Sequence, residues 1–582
     1  MVRLDPLSAL EHYEGARQAQ ALGDWKTALG HYGALEAAGL GQPAIWFAHG
    51  IALQQAPAEL GGSINEALRR YEWVLKLEPQ HAQAWLNRGA SLGSLAQWEA
   101  AIESYTHALA LDASLALAWF NRGVAFHTQG HFEAAIKDYK AALELSPSQA
   151  SWAYNLADAW RALGALERAL AAYDQALSIH ANYAHAWCNR GVVLRSLGRF
   201  EAAIESFDHS INADPSYAEA YSNRGLALRD LQRIEDALRS FSRAIAIRPD
   251  YANAHLNQAF TRLLAGDYQE GFKQYEWRRL SSQAIQSAHP FTQPLWLGEP
   301  AITGKRLLVH TEQGLGDSLQ FVRFVRDVAR DAAEVKLVVP VVFQRLFSHL
   351  APNIHVVTSQ ADIGEVDYRI PMMSLAYALG CQVHRIPHAQ GYLKPQPATL
   401  ALWKVRLEEA LGHSPIRPQG AVAAPLRIGL VWRGRGQPNP LRNLSLEALL
   451  PFLPPQCLYV TLQPDLDPDE MTLFAPALGD HAGVQARCAH LGRFIGDFED
   501  TAALCSLMDV VISVDTSLAH LAGALGVRSI VLLPFSPDWR WGLESATTPW
   551  YTSMHLVRQR YHGRWHEALE ALPITLQALC PH

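Results

Sequence analysis

The sequence predicts an all-helical solenoid over its first half and an α/β region of two parallel-sheet lobes over its second. Three observations carry that expectation. A signature recurs every 34 residues up to about residue 285. From Lys305 the pattern changes to short β-rich runs that alternate with helical stretches, the sign of a parallel sheet with crossover helices. A proline- and alanine-rich passage from Pro395 to Pro425 then divides two such series.

The recurrence begins clearly at Trp85-Leu-Asn-Arg-Gly89 and returns at Trp119–Gly123, Trp187–Gly191 and Tyr221–Gly225, with degenerate copies in register at Ala153-Tyr-Asn155 and His255-Leu-Asn257. Twelve residues after each glycine stands a small residue (Ala101, Ala135, Ala203, Ala237). An aromatic follows four later (Tyr105, Tyr139, Phe207, Phe241), and prolines recur in phase at Pro79, Pro147, Pro215 and Pro249. Such spacing suits two packed helices per repeat: small residues admit close approach, aromatics fill the gap and proline ends the second helix. Two less regular copies precede Trp85, centred on Ala16 and Ala28 and on Gly50 and Ala67. The second carries about five extra residues near Ala56 to Gly62, judged by the period. About eight repeats are expected over residues 8–285. The last departs toward Gly266–Gly271 and Tyr275-Glu-Trp-Arg278, which predicts a cap that docks onto the α/β half of the chain. Residues 286–303, with prolines at 290, 294 and 300, read as a connector.

One asparagine stands at the same place in each copy: Asn87, Asn121, Asn155, Asn189, Asn223 and Asn257. On an inner helix these amides either form a ladder for an extended peptide backbone or bond the neighbouring repeat. The arginines that follow four of them (Arg88, Arg122, Arg190, Arg224) either favour an acidic ligand or are paired within the chain.

In the second half, strands are predicted at Arg306 to Thr311, Val335 to Val339 and His355 to Val357, with a helix from about Ser318 to Arg330. This first lobe is placed at 304–400. The second, at 425–560, runs through Arg427–Trp432, Leu458–Leu462, Val510–Ser513 and Ser529–Leu533, and predicts a helix at Leu518–Leu525. A partly helical segment at 561–582, interrupted by Pro573, is expected to fold back across the lobes.

Three strand ends hold candidate chemistry. In Glu312-Gln-Gly-Leu-Gly-Asp-Ser318, Gly314 and Gly316 admit close approach of backbone to a ligand. Asp317 then lies at the positive end of a helix, which predicts a lowered pKa; a plain helix cap is the equal alternative. In Val514-Asp-Thr-Ser-Leu-Ala-His520, the residues Asp515, Thr516, Ser517 and His520 open a helix whose donors suit a diphosphate, or else are an N-cap with a structural histidine. Trp432-Arg-Gly-Arg435 with Arg442 supplies cations that either neutralise a leaving phosphate or are solvated.

Composition narrows the alternatives. Apolar residues make up 49% and charged residues 18%, so the chain is not disordered by composition. A net charge of −7 offers no basic field for nucleic acid. The start Met1-Val-Arg-Leu-Asp-Pro lacks an apolar leader and no long apolar run occurs after it, which predicts neither a signal peptide nor a membrane span. Six scattered cysteines without a CxxC pair predict neither zinc nor disulfides, and a reducing cytoplasm is expected.

The repeat pattern is similar to the tetratricopeptide repeat. Together, Glu312–Asp317, Gly496-Asp-Phe-Glu-Asp-Thr-Ala502, Asp515–Gly526 and Pro534-Phe-Ser-Pro-Asp-Trp-Arg-Trp541 resemble heptosyltransferase-like glycosyltransferases (family 9-like) of the two-Rossmann GT-B architecture, over most of Leu295 to Arg560. The resemblance implies an α-solenoid followed by a GT-B domain that acts as an inverting, metal-independent, nucleotide-sugar-dependent transferase. By position it makes Asp317 the general base and Arg433 or Arg442 the donor-phosphate cation. It makes Asp515, Thr516, Ser517 and His520 the diphosphate segment, with Ser517 where the family has glycine. It implies no cofactor beyond the donor sugar nucleotide and no resident metal; the pair Asp465 and Asp467 lies between prolines and reads as a loop. Trp539 and Trp541 either line the cleft or are buried between lobes. The acceptor expected is a protein or peptide held by the repeats. The alternatives are a glycan or lipid-linked sugar, or a scaffold whose transferase half is inactive. No oligomeric state is implied.

Overall fold

The computed structural model describes residues 6–280, 291–411, 425–434, 442–474 and 488–580. Arg435, residues 286–290 of the expected connector, residues 412–424, and residues 581–582 lie outside the described residues. The chain forms two compact units, Met1–Arg224 and Gly225–His582, so the boundary falls inside the repeat array, within the helix Ala218–Asp230, and not at its end near 285.

The first unit is a succession of helix pairs. In one repeat the helices Ala82–Ser94 and Trp98–Leu111 are joined by three residues, and Tyr105 presses its ring against Gly89. A methyl group at Gly89 would sit 2.6 Å from that ring, which is why this position stays small. Gly123 meets Tyr139 and Gly191 meets Phe207 in the same way. Proline stands just past the second helix, as at Pro79 after Leu77 and Pro147 after Leu145. The recurrent tryptophan closes the turn between repeats: the indole N–H of Trp85 donates to the Pro79 carbonyl at 2.9 Å, Trp119 to Ala113 at 2.9 Å and Trp187 to Ala181 at 2.8 Å. The extra residues of the early copy lie where expected. Residues 56–63, including a short turn Ala58–Leu60, join the helices Pro43–Gln55 and Ile64–Leu77.

The second unit begins with the last helix pairs, ending at Ala252–Leu264 and Tyr268–Tyr275 and a tight turn Glu276–Leu280. Two parallel sheets come next. The first contains β1 (Arg306–His310), β2 (Glu334–Val338), β3 (Ile354–Val357) and β4 (Tyr368–Pro371) in the order β3-β2-β1-β4. The second contains β5 (Arg427–Val431), β6 (Leu458–Thr461), β7 (Cys488–His490), β8 (Val510–Val514), β9 (Ser529–Leu533) and β10 (Met554–Arg558) in the order β10-β9-β8-β5-β6-β7. Counted from its own first strand, each sheet has the 3-2-1-4 order of a Rossmann sheet, and the second completes it with two further strands.

Two expectations for the second half differ from the structure. The passage expected to separate the lobes contains a helix, Pro397–Ala410, whose Trp403 is buried with Val431 and Val460 of the second sheet and Ala503 of the helix Phe498–Ser506. The second lobe therefore begins near Pro397 and not at 425. The terminal helices His566–Glu570 and Leu572–Leu579 pack on that same sheet through Leu569, Leu572 and Leu576, beside Ile428 and Ile512, and do not cross the lobes. The repeat end docks as expected: Leu263, Tyr268, Phe272 and Tyr275 share one core with Leu307 and Phe321 of the first lobe and Trp539 and Trp550 of the second.

Candidate functional site

The site forms where the carboxyl ends of β1 and β8 face each other. After β1 the chain turns through Glu312–Gly314 into the helix Leu315–Phe321. Gly314 is the N-cap, and its N–H donates to Asp317 Oδ2 at 2.9 Å. The other Asp317 oxygen accepts from the Arg540 guanidinium, which arrives from the loop after β9. Arg540 is 7% exposed. It also pairs with Asp538 at 2.8 Å, donates to Gln320 and lies over the Trp539 ring at 4.4 Å.

After β8, Asp515 and Thr516 lead into the helix Ser517–Leu525, with Thr516 Oγ1 accepting from Leu518 N–H at 3.3 Å. His520, one turn in, shares a hydrogen bond of 3.0 Å between Nδ1 and the Tyr551 hydroxyl, and stacks on Trp541 with centroids 5.3 Å apart. The two helix starts touch. A methyl group on Gly316 would lie 2.9 Å from His520 Cδ2 and 3.5 Å from Ser517 Cα, so glycine at 316 lets Asp317 approach the second-lobe helix. Between β5 and β8, where the strand order reverses, a methyl group on Gly434 would lie 2.8 Å from Thr516 Cγ2 and 3.6 Å from Arg442 Nη2. Ligands of such sheets bind outside the carboxyl ends at this reversal.

The structure thus gathers Gly314, Gly316, Asp317, Arg442, Asp515, Thr516, Ser517 and His520. It engages Arg433 elsewhere: Nε and Nη2 each reach a Glu470 oxygen at 2.7 Å, and Nη2 also donates to the Asp465 carbonyl. A forked pair of this kind is among the stronger charge-assisted contacts. Of the two candidate cations, Arg442 is the one whose charge bears on Asp515 and His520. Asp467 caps the helix Pro468–Phe474 by accepting from Glu470 N–H at 2.8 Å.

Charges here track burial. The sequence places Asp317 at a helix start and so predicts a lowered pKa. Instead, desolvation raises it above the usual aspartate value, against the pull of Arg540 and the Gly314 N–H. Burial likewise pushes Asp515 up to about 6, helped by Asp538 and opposed by Trp541, Arg442 and Arg540. Burial, with the cations Arg540, Arg323 and Arg442 adding to it, holds His520 well below its usual value and neutral.

Arg540, Gln320 and Tyr551 are site residues that sequence patterns do not reveal. Arg540 stands inside the motif Pro534–Trp541, between two tryptophans that are the more conspicuous candidates. Both tryptophans are buried, Trp539 in the shared core and Trp541 against His520. A second such group comes from the end of the repeats. Tyr275 donates to Gln313 at 2.7 Å, and Arg278 pairs with Glu312 and Glu276 at 2.7 Å each.

The six asparagines are all half-buried. Asn189 donates to Tyr154 and Asp158 of the preceding repeat at 2.8 and 3.1 Å, and Asn223 to Cys188 Sγ at 3.4 Å. Asn87 and Asn121 bond Tyr71 and Tyr105. The arginines beside them pair within the chain: Arg122 with Asp138, Arg190 with Asp174, Arg224 with Asp208, and Arg88 donates to Ser104. All six cysteines are free thiols, no group of three metal-ligating side chains occurs among the described residues, and no described helix is long and apolar enough to cross a membrane.

Profiles of the tetratricopeptide repeat match residues 61–92, 116–149, 168–218, 188–252 and 222–283, and a TPR repeat profile matches 94–130. The N-terminal solenoid is therefore built of tetratricopeptide repeats. Among curated proteins, Protein FlbA of Caulobacter vibrioides is 28% identical over 348 residues, 54% of this chain and 54% of FlbA. The chain thus spans about half the length of that relative. Solved structures similar to the repeats include YrrB, a TPR protein with an unusual peptide-binding site (25% identity, TM-score 0.29, 32% of this chain and 95% of that one). Another is MamA (23% identity, TM-score 0.28, 29% and 93%).

Proposed function

We propose that the second unit is a GT-B glycosyltransferase that moves a sugar from a nucleotide-sugar to an acceptor hydroxyl by single displacement with inversion. The observation that carries this is the approach of Asp317, from one Rossmann-ordered sheet, to the Ser517–Leu525 helix start of the other, with Gly316 as the point of contact. Asp317 takes the proton of the acceptor hydroxyl as its oxygen attacks the anomeric carbon. The C–O bond to the diphosphate breaks, and the leaving charge is met by the helix start, Ser517, Thr516 and Arg442. Arg540, which already holds Asp317, lies on the same side as Asp515 and His520 and adds its charge there. A carboxylate kept partly desolvated is a better base than one in water, and its raised pKa serves that role.

A protein or peptide presented by the repeats is the acceptor, in keeping with the use of such arrays as interaction surfaces. A second acceptor reading, a glycan or lipid-linked sugar with the repeats serving assembly, draws support from the asparagine amides, four of which bond within the array. The free thiols and the nucleotide-sugar donor both fit a cytoplasmic setting.

The test is transfer of labelled sugar by the full chain, with product partitioned between precipitable protein and solvent-extractable lipid or glycan. Asp317→Asn is expected to abolish transfer and leave nucleotide affinity within about twofold, as loss of a group acting only in the transition state does. Wild-type turnover by that variant contradicts the base assignment.

A further inference from the structure

The turn Glu312–Gly314 that leads into the helix of Asp317 is held by the end of the repeat array. Tyr275 and Arg278 belong to the last turn of the repeat array, yet the Arg278 guanidinium ties that turn to the first lobe. It reaches Glu312 and Glu276 at 2.7 Å, Ser374 Oγ at 2.6 Å and the Tyr275 carbonyl at 3.2 Å. Glu312 comes after β1 and Ser374 after β4, and Ser374 in turn donates to Glu276 at 3.0 Å. In the all-parallel order β3-β2-β1-β4 the strand order reverses between β1 and β4, the crevice in which sheets of this kind take ligands. Here Glu276 and Arg278 bridge that crevice. Arg278 is 5% exposed, and Tyr275 adds the bond to Gln313.

We infer that Arg278 and Tyr275 are positioning residues of the candidate site: they clamp Glu312 and Gln313 and thereby fix the turn that aims Asp317. The inference rests on the transferase reading for its effect on turnover. It has one consequence: the last repeat is part of the first lobe, so the sheets are not a detachable enzyme.

Hydrogen exchange on the full chain tests the clamp without any assumption about substrate. In Arg278→Met, amides of residues 312–318 are expected to exchange roughly tenfold faster, while the helix Ser517–Leu525 keeps its protection. Arg278→Lys keeps the charge without the fork and falls between. Should Arg278→Met fail to fold, Tyr275→Phe deletes only the hydroxyl on Gln313 and is read in the same way. Unchanged exchange at 312–318, or equal loosening of 517–525, overturns the inference. With a nucleotide-sugar that the wild type hydrolyses, kcat of the variant falls roughly tenfold at unchanged KM; an unchanged kcat overturns it as well. A wild type that hydrolyses none of UDP-, GDP-, ADP- or CMP-sugars defeats the transferase reading instead, and the exchange comparison still decides the clamp.

Discussion

Asp515 and His520 illustrate how burial, and not the helix start alone, sets charge in this site. The Asp515 carboxyl titrates at about 6 in the folded chain and at about 3.9 in an unfolded one. A folded pKa above the unfolded one means that the stability it contributes is complete below about pH 4 and is lost as pH rises through about 6. Asp515→Asn removes that loss. The variant is therefore expected to gain stability over the wild type on going from about pH 4 to about pH 8, by up to roughly 3 kcal/mol at 1.36 kcal/mol per unit. Denaturant midpoints at the two pH values check it, and a gain that is equal at both contradicts the expectation. His520, held well below its usual pKa, stays neutral. Its ring nitrogens are expected to show one unchanging NMR signature across roughly pH 5.5 to 8, where an ordinary histidine titrates.

Among the elements, the helix turns of the repeats make a separate prediction. The loop joining the two helices of a repeat uses one left-handed residue, and it is glycine at Gly130, Gly164, Gly198 and Gly266, with φ between 72° and 86°. At Ala96 the same place has φ 56° with an alanine. A left-handed non-glycine residue costs about 1–2 kcal/mol, so Ala96→Gly is expected to stabilise the first unit by about 1 kcal/mol. A thermal melt that moves down contradicts the assignment. These elements were legible because each is repeated: a period of 34 is a signal that one helix alone does not give. Strands β1, β2, β3, β5, β6, β8 and β9 were legible as short β-rich runs. Those missed were short or mixed: β7 has three residues, β4 ends in proline, and β10 reads Met-His-Leu-Val-Arg with no alternation. The helix Pro397–Ala410 was hidden by its proline start, which in the structure is a first-turn proline, tolerated where no N–H is needed.

Across the molecule as a whole, the turn at Asp317 and the helix start at Ser517 were both visible as segments, and their likeness to one family joined them. Long-range pairing was not visible. Arg540 meets Asp317 across 223 positions, and Arg278 meets Ser374 across 96. No local period records such contacts. The same limit explains why Arg433 and Arg442 are indistinguishable as residues after a strand: only the fold brings Glu470 to the first of them. The domain boundaries differ from expectation for a related reason. The last repeat, both sheets and the aromatic group of Phe272, Phe321, Trp539 and Trp550 share one core, and a core has no signature along the chain.

The reading of the second unit as a transferase stands or falls with a nucleotide-diphosphate site at the start of the Ser517–Leu525 helix. The decisive experiment is thermal stabilisation of the full chain by UDP, GDP, ADP or CMP, each with and without EDTA, in the wild type and in His520→Ala. A ligand that binds the native chain raises its stability by about 2.7 kcal/mol at a hundredfold excess over Kd. Saturable stabilisation by one nucleotide is expected, unaffected by EDTA and weakened in His520→Ala. No shift with any nucleotide, or the same shift in His520→Ala, contradicts that site.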